Sequence, residues 1–189
     1  MHRKEGLKTP PELMITPTVT WADVALAPDS LTALQRVADS ARGLSAEVDD
    51  AREDSRPAGT LLVFLGEDRR NRRLAAEALA NAMKVPIFRV DLAAVDDKWL
   101  AQTEANLDRV FAAADRAGVV LLLDEADALF AGRTEVKDAH DRFSTTEVSY
   151  LLQKIEEHHG LCILAANRKS HVDAMFTRRA LLQIPFPRP

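Results

Sequence analysis

Two adjacent acids close an aliphatic run in Leu121-Leu122-Leu123-Asp124-Glu125-Ala126-Asp127. At the tip of a strand, an aspartate placed like Asp124 can hold Mg²⁺, and a neighbouring Glu125 can polarise an attacking water. The same letters also describe a strand followed by a helix cap, with Asp124 and Asp127 serving the helix N-terminus. The spacing alone leaves both readings open.

A second stretch has the frame of a phosphate site but not its contents. The strand-like LLVFL and the helix-like LAAEALANAMK enclose Gly66-Glu67-Asp68-Arg69-Arg70-Asn71-Arg72-Arg73. A loop of form G-x-x-x-x-G-K-[ST] uses glycines to wrap backbone amides around phosphates. Its lysine reaches the outer phosphates and its hydroxyl binds Mg²⁺. Here Gly66 fits the first glycine, Asn71 replaces the second, Arg72 stands for the lysine and Arg73 for the hydroxyl. Asparagine tolerates a left-handed backbone. A guanidinium is longer and planar, so Arg72 crowds the space of a lysine. Arg73 removes a metal ligand and puts a cation where Mg²⁺ would sit. Glu67 and Asp68 add negative charge where phosphate oxygens would arrive.

Two further strand ends carry polar groups. Asn167 closes LCILAAN and could orient a water or a phosphate oxygen, although an asparagine in a turn needs no such role. Arg178 and Arg179 precede the last apolar run, where they could reach a neighbouring subunit's phosphates or simply be a solvated charged turn. Cys162 reads as a small core residue. His158 and His159 end a helix, where a cationic side chain suits the helix dipole, and they have no metal-ligand partners at suitable spacing.

These residues need a scaffold, and the chain has the composition for one. Its 189 residues, 47% hydrophobic and 29% charged, predict one globular domain with a buried core. A net charge of -4 gives no reason to expect nucleic-acid binding, and the loop arginines have no interleaved aromatics. One cysteine excludes an internal disulfide and fits a reducing compartment. No run is long enough to span a membrane and no signal peptide opens the chain, so a cytoplasmic location with protein partners is expected.

Pro10, Pro11 and Pro17 predict an extended arm over residues 1–20. A helix capped by Asp29 or Ser30 should follow. Strand and helix runs then alternate: LLVFL, IFRVDL, VVLLLD, LCILAAN and ALLQIPF as strands, with helices between them. Aliphatics on both faces predict a buried parallel sheet with helices on each side, and ligands bound at the carboxyl ends of its strands.

Strand-loop-helix, acid pair, asparagine and arginine pair, each at a strand end and in this order, resemble the AAA+ ATPase family. The likeness runs from about TVTWADVAL to the C-terminus. It is closest to the AAA proteins encoded with bacterial contractile, phage-tail-like injection systems, on KWLAQTEANLDRVFAAAD, LLLDEADALFAGRTEVKDAHDRF, TEVSYLLQKIEE and RRALLQIPFP. The resemblance implies a P-loop NTPase-like three-layer αβα core over residues 21–189. It also implies a five-stranded parallel sheet in the order 5-1-4-3-2 and assembly into rings with the site between subunits. It places Lys98, Trp99 and Leu100 where ring-forming relatives carry a pore loop that grips polypeptide, although a tryptophan folded back as a helix staple fits equally. Relatives continue into a helical lid, for which no sequence follows Pro189.

Under that resemblance Glu125, Asn167, Arg178 and Arg179 take catalytic places, and Gly66, Asn71, Arg72, Arg73 and Asp124 line the nucleotide, with Asp124 as metal ligand. The altered loop and the missing lid predict a pseudo-ATPase without bound cofactor, serving as a ring or scaffold subunit. The alternative is an active ATPase using ATP and Mg²⁺ to remodel or thread proteins.

Overall fold

A computed structural model of the chain describes residues 12–47, 59–95, 101–129, 145–167 and 174–188. Strand β1 (Glu12–Ile15) is followed by a 3-10 turn (Trp21–Asp23) and helix α1 (Pro28–Glu47). Then come β2 (Thr60–Leu65), α2 (Arg69–Met83), β3 (Ile87–Asp91) and α3 (Thr103–Ala117). They are followed by β4 (Val120–Asp124), a 3-10 turn (Ala126–Leu129), α4 (Thr145–Glu157), β5 (Leu161–Ala166), α5 (Ala174–Arg179) and β6 (Leu182–Pro185).

The sheet differs from the expected one by an additional antiparallel edge strand, while β2–β6 keep the expected order among themselves. It has six strands, β1-β3-β4-β5-β2-β6, and it is mixed. The added strand comes from the proline-flanked arm, where Glu12–Ile15 pairs antiparallel with the outer edge of β3, Leu13 opposite Arg89. Four extended residues suffice there, because β3 would otherwise present an unpaired edge. The remaining neighbours pair in parallel.

Alternation along the strands divides the core between two faces. Leu61, Val63, Leu121, Leu123, Cys162 and Leu164 pack under α3 and α4 with Leu107, Phe111, Leu151 and Ile155. Leu62, Phe64, Leu122, Ile163 and Ala165 pack under α1 and α2 with Leu34, Ala38, Ala76 and Leu79. Buried on both faces, β4 and β5 form the centre of the three layers. Helix α1 starts one residue before the expected caps, at Pro28, whose fixed φ suits a first helical turn.

The end of α4 departs from the expected cationic cap. His158 is 1% exposed, its ring edge-on to Phe111 and its Nδ1 2.6 Å from Asp115 Oδ1. Burial lowers its pKa, while the nearby Asp115 carboxylate opposes that shift only in part. His158 is therefore a neutral interior side chain rather than a dipole partner.

Candidate functional site

The parallel pairing brings the chemistry-bearing strand ends together. Asp91 and Asp124 are register partners at the ends of β3 and β4, and β5 ends alongside at Ala166, just before Asn167. Gly66 follows β2, where its N–H donates to Ala166 O at 3.0 Å. Asp124 is completely buried, and its Oδ1 accepts the N–H of Glu125 at 3.0 Å. Glu125 has φ +57°, a left-handed backbone that a non-glycine residue adopts only when its surroundings hold it there. Asp127 accepts the Asn167 N–H at 2.6 Å, tying the end of β5 to the turn after β4.

Arginines from the first turns of α2 fill the space among these acids. Among the described residues, Arg72 is the largest fully buried side chain. Its Nη1 donates to Gly66 O at 2.6 Å and Asn167 Oδ1 at 3.1 Å, and its Nη2 to Glu125 Oε1 at 3.0 Å. Arg73 donates through Nε to Asp124 Oδ2 and lies 3.4 Å from Asp91 Oδ2 through Nη2. Arg69 bridges Asp91 Oδ2 at 3.0 Å and Glu125 Oε1 at 2.9 Å. Three guanidiniums thus face three carboxylates, Asp91, Asp124 and Glu125. Buried charges persist only when paired, and here Arg72 and Asp124, the two fully buried members, each have an opposite charge, although the buried Arg72 Nε makes no hydrogen bond. Asn167 Nδ2 lies 3.4 Å from Glu125 Oε2 and completes the ring of contacts.

The loop amides are turned inward as well. Asp68 caps α2 by accepting the Asn71 N–H on Oδ1 at 3.0 Å, and its backbone carbonyl accepts the Arg72 N–H at 3.0 Å. The Asp68 N–H reaches Phe186 O at 3.4 Å. Asn71 sits inside α2 rather than in a left-handed turn, and its carboxamide points away from the acids. Its Oδ1 accepts the Ala25 N–H at 3.0 Å and its Nδ2 donates to Ala25 O.

The family's sequence pattern, ATPase family associated with various cellular activities (AAA), matches residues 62–188. The chain belongs to the AAA family. An AAA family ATPase of Sinorhizobium fredii is 27% identical over 141 residues, covering 75% of this chain and 43% of that protein. Cell division protein C of Sulfolobus acidocaldarius is 30% identical over 115 residues, covering 56% of this chain and 31% of that protein. The chain thus spans less than half the length of these relatives. The crystal structure of the FIGL-1 AAA domain shares the fold at TM-score 0.67 and 21% identity, over 93% of this chain and 58% of that one. Its complex with ADP gives 0.69 and 19% over the same shares.

Of the site residues read from the sequence of this AAA chain, Gly66, Arg72, Arg73, Asp124, Glu125 and Asn167 meet in one cluster. Asn71 borders it but faces Ala25. Arg178 and Arg179 are exposed on α5, and Arg179 Nη2 pairs with Glu156 Oε1 at 2.7 Å. Lys98, Trp99 and Leu100 lie outside the described residues. Sequence reasoning missed Asp91 and Arg69 as members of the cluster. The signal for Asp91 was its place at the end of a strand next to β4, which parallel register sets beside Asp124. Among the described residues no helix is long and apolar enough to cross a membrane.

Proposed function

We propose that this AAA domain is a pseudo-ATPase, a ring or scaffold subunit of a protein-remodelling assembly, whose nucleotide site is filled by its own arginines. The observation that carries this reading is the pairing of Arg73 with Asp124, the residue that the family resemblance makes the Mg²⁺ ligand. Arg72 holds Glu125 in the same way, so the acid placed to activate water is already engaged by a cation. The residues present do not fit Mg²⁺-ATP. The hydroxyl ligand is an arginine, the acids are charge-paired, and the amides of Asp68, Asn71 and Arg72 donate within the protein. The segments that resemble AAA proteins of contractile injection systems favour an assembly of that kind. Exposed Arg178 and the Arg179–Glu156 pair offer a charged face for self-association or for a second AAA subunit.

One observation favours the alternative, a working ATPase. Asp124, Glu125 and Asn167 stand at neighbouring strand ends, within reach of one another. Hydrolysis would require Arg73 to leave Asp124 when the ligand arrives.

Calorimetry and turnover separate the two readings. The wild type should show no ATP-dependent heat at physiological concentration and no turnover. The variant with Asn71→Gly, Arg72→Lys and Arg73→Thr should gain nucleotide binding. Micromolar ATP affinity lost on changing Asp124, or turnover lost in Glu125→Gln, would overturn the pseudo-ATPase reading.

A further inference from the structure

The loop Gly66–Arg73 is held from two sides by segments far from it in sequence. On one side the Asn71 carboxamide takes both the N–H and the C=O of Ala25, 46 positions away. A glycine at 71 could make neither bond. A second carboxamide of α2, Asn81, donates to Val19 O at 2.8 Å, so the segment 19–25 lies along the helix that carries the arginines. On the other side the chain leaving β6 closes over the start of the loop. The Phe186 N–H donates to Leu65 O at 2.6 Å, and Phe186 O accepts from Asp68 N. The buried Phe186 ring packs on Phe64 with centroids 5.1 Å apart, and Arg188 pairs with Glu67. The contact at Gly66 is backbone to backbone. At its φ of +143°, a Cβ on Gly66 would stand 1.9 Å from Phe186 O.

Both attachments lead to the same guanidinium. Gly66, pressed against Phe186, presents its carbonyl to Arg72 Nη1, and Arg72 is the helical neighbour of Asn71. We propose that the loop acts as a joint rather than a ligand cradle, so that the segment at Ala25, through its bonds to Asn71, and the segment 186–188 each control whether Arg72 stays seated between Glu125 and Asn167. A pull on either segment loosens the other and unseats the arginine. This inference rests on the reading of the site as closed by its own arginines. It adds that the closure is set by the flanking segments, where a partner could act. Coupling of this kind is reciprocal, because each opening must favour the other by the same factor.

Amide exchange read by NMR on the whole chain tests it, with the Ala25 N–H reporting one side and the Phe186 N–H the other. Asn71→Ala should speed exchange at Phe186 by about tenfold, and Gly66→Ala should speed Ala25 by a similar factor. In both variants the Arg72 guanidinium protons should lose protection. Asn81→Ala frees Val19 without touching the loop and should leave Phe186 at the wild-type rate. If Gly66→Ala fails to fold, the response of Phe186 to Asn71→Ala decides. Exchange that rises only at the reporter beside each substitution overturns the proposal, as does an equal rise at Phe186 in Asn81→Ala. Wild-type ATP turnover would instead sink the reading of the site itself, whatever the exchange rates show.

Discussion

Arg73 of α2 and Asp124 at the end of β4 form an ion pair across 51 positions of sequence, with the carboxylate fully buried and the guanidinium one-quarter exposed. The pair places a cation of the protein itself against the carboxylate that the family resemblance assigns to the metal. Removing one partner of such a pair leaves a charge stranded away from water. Arg73→Ala should therefore destabilise the domain by about 3 kcal/mol in urea unfolding, with Arg73→Ala/Asp124→Asn recovering part of the loss. An Arg73→Ala variant as stable as the wild type would show that Asp124 does not depend on the pair.

Gly66 is the position where the loop tolerates least. Its φ of +143° and Phe186 O, which would lie 1.9 Å from a Cβ at this position, leave no room for a side chain. Gly66→Ala should lower stability by roughly 2 kcal/mol or more. Glycines in open space should be more forgiving: Gly118, at φ +60° with nothing near its Cβ, should lose about 1 kcal/mol on change to alanine. Equal melting losses at the two positions would contradict the packing argument.

Burial lowers the pKa of His158 in the folded state. The unfolded chain then takes up a proton near the ordinary histidine value of about 6.5 while the folded chain resists it. The contribution of His158 is thus fully present above that value. It is lost as pH falls towards the depressed folded pKa. Denaturant midpoints measured from pH 7.5 downwards should fall, and His158→Phe should flatten that segment of the curve. An unchanged slope in the variant would assign the pH dependence to other groups.

The proposed self-association through α5 predicts that Arg178→Glu/Arg179→Glu shifts the light-scattering mass towards the monomer. Arg178→Glu alone should account for most of the change, because Arg179 is already engaged by Glu156. A mass independent of both arginines would place any interface elsewhere.

The sequence by itself determined the layers and the contents of the loop. Unbroken aliphatic runs in LLVFL, VLLLD and LCILAA require strands buried on both faces, and the helices between them follow from their periodicity. Composition placed Asn71, Arg72 and Arg73 where a phosphate loop has glycine, lysine and a hydroxyl. Local pattern could not reveal that ELMI completes the sheet, because edge pairing depends on β3 being open at that side. Nor could it show where the arginines go. Only the parallel register that sets Asp91 beside Asp124, and the turn that brings Asn167 to Glu125, gather the carboxylates, one of them fully buried, that draw them in. Tertiary structure made that choice, because a guanidinium and a carboxylate 51 positions apart attract strongly only once folding has removed the water between them.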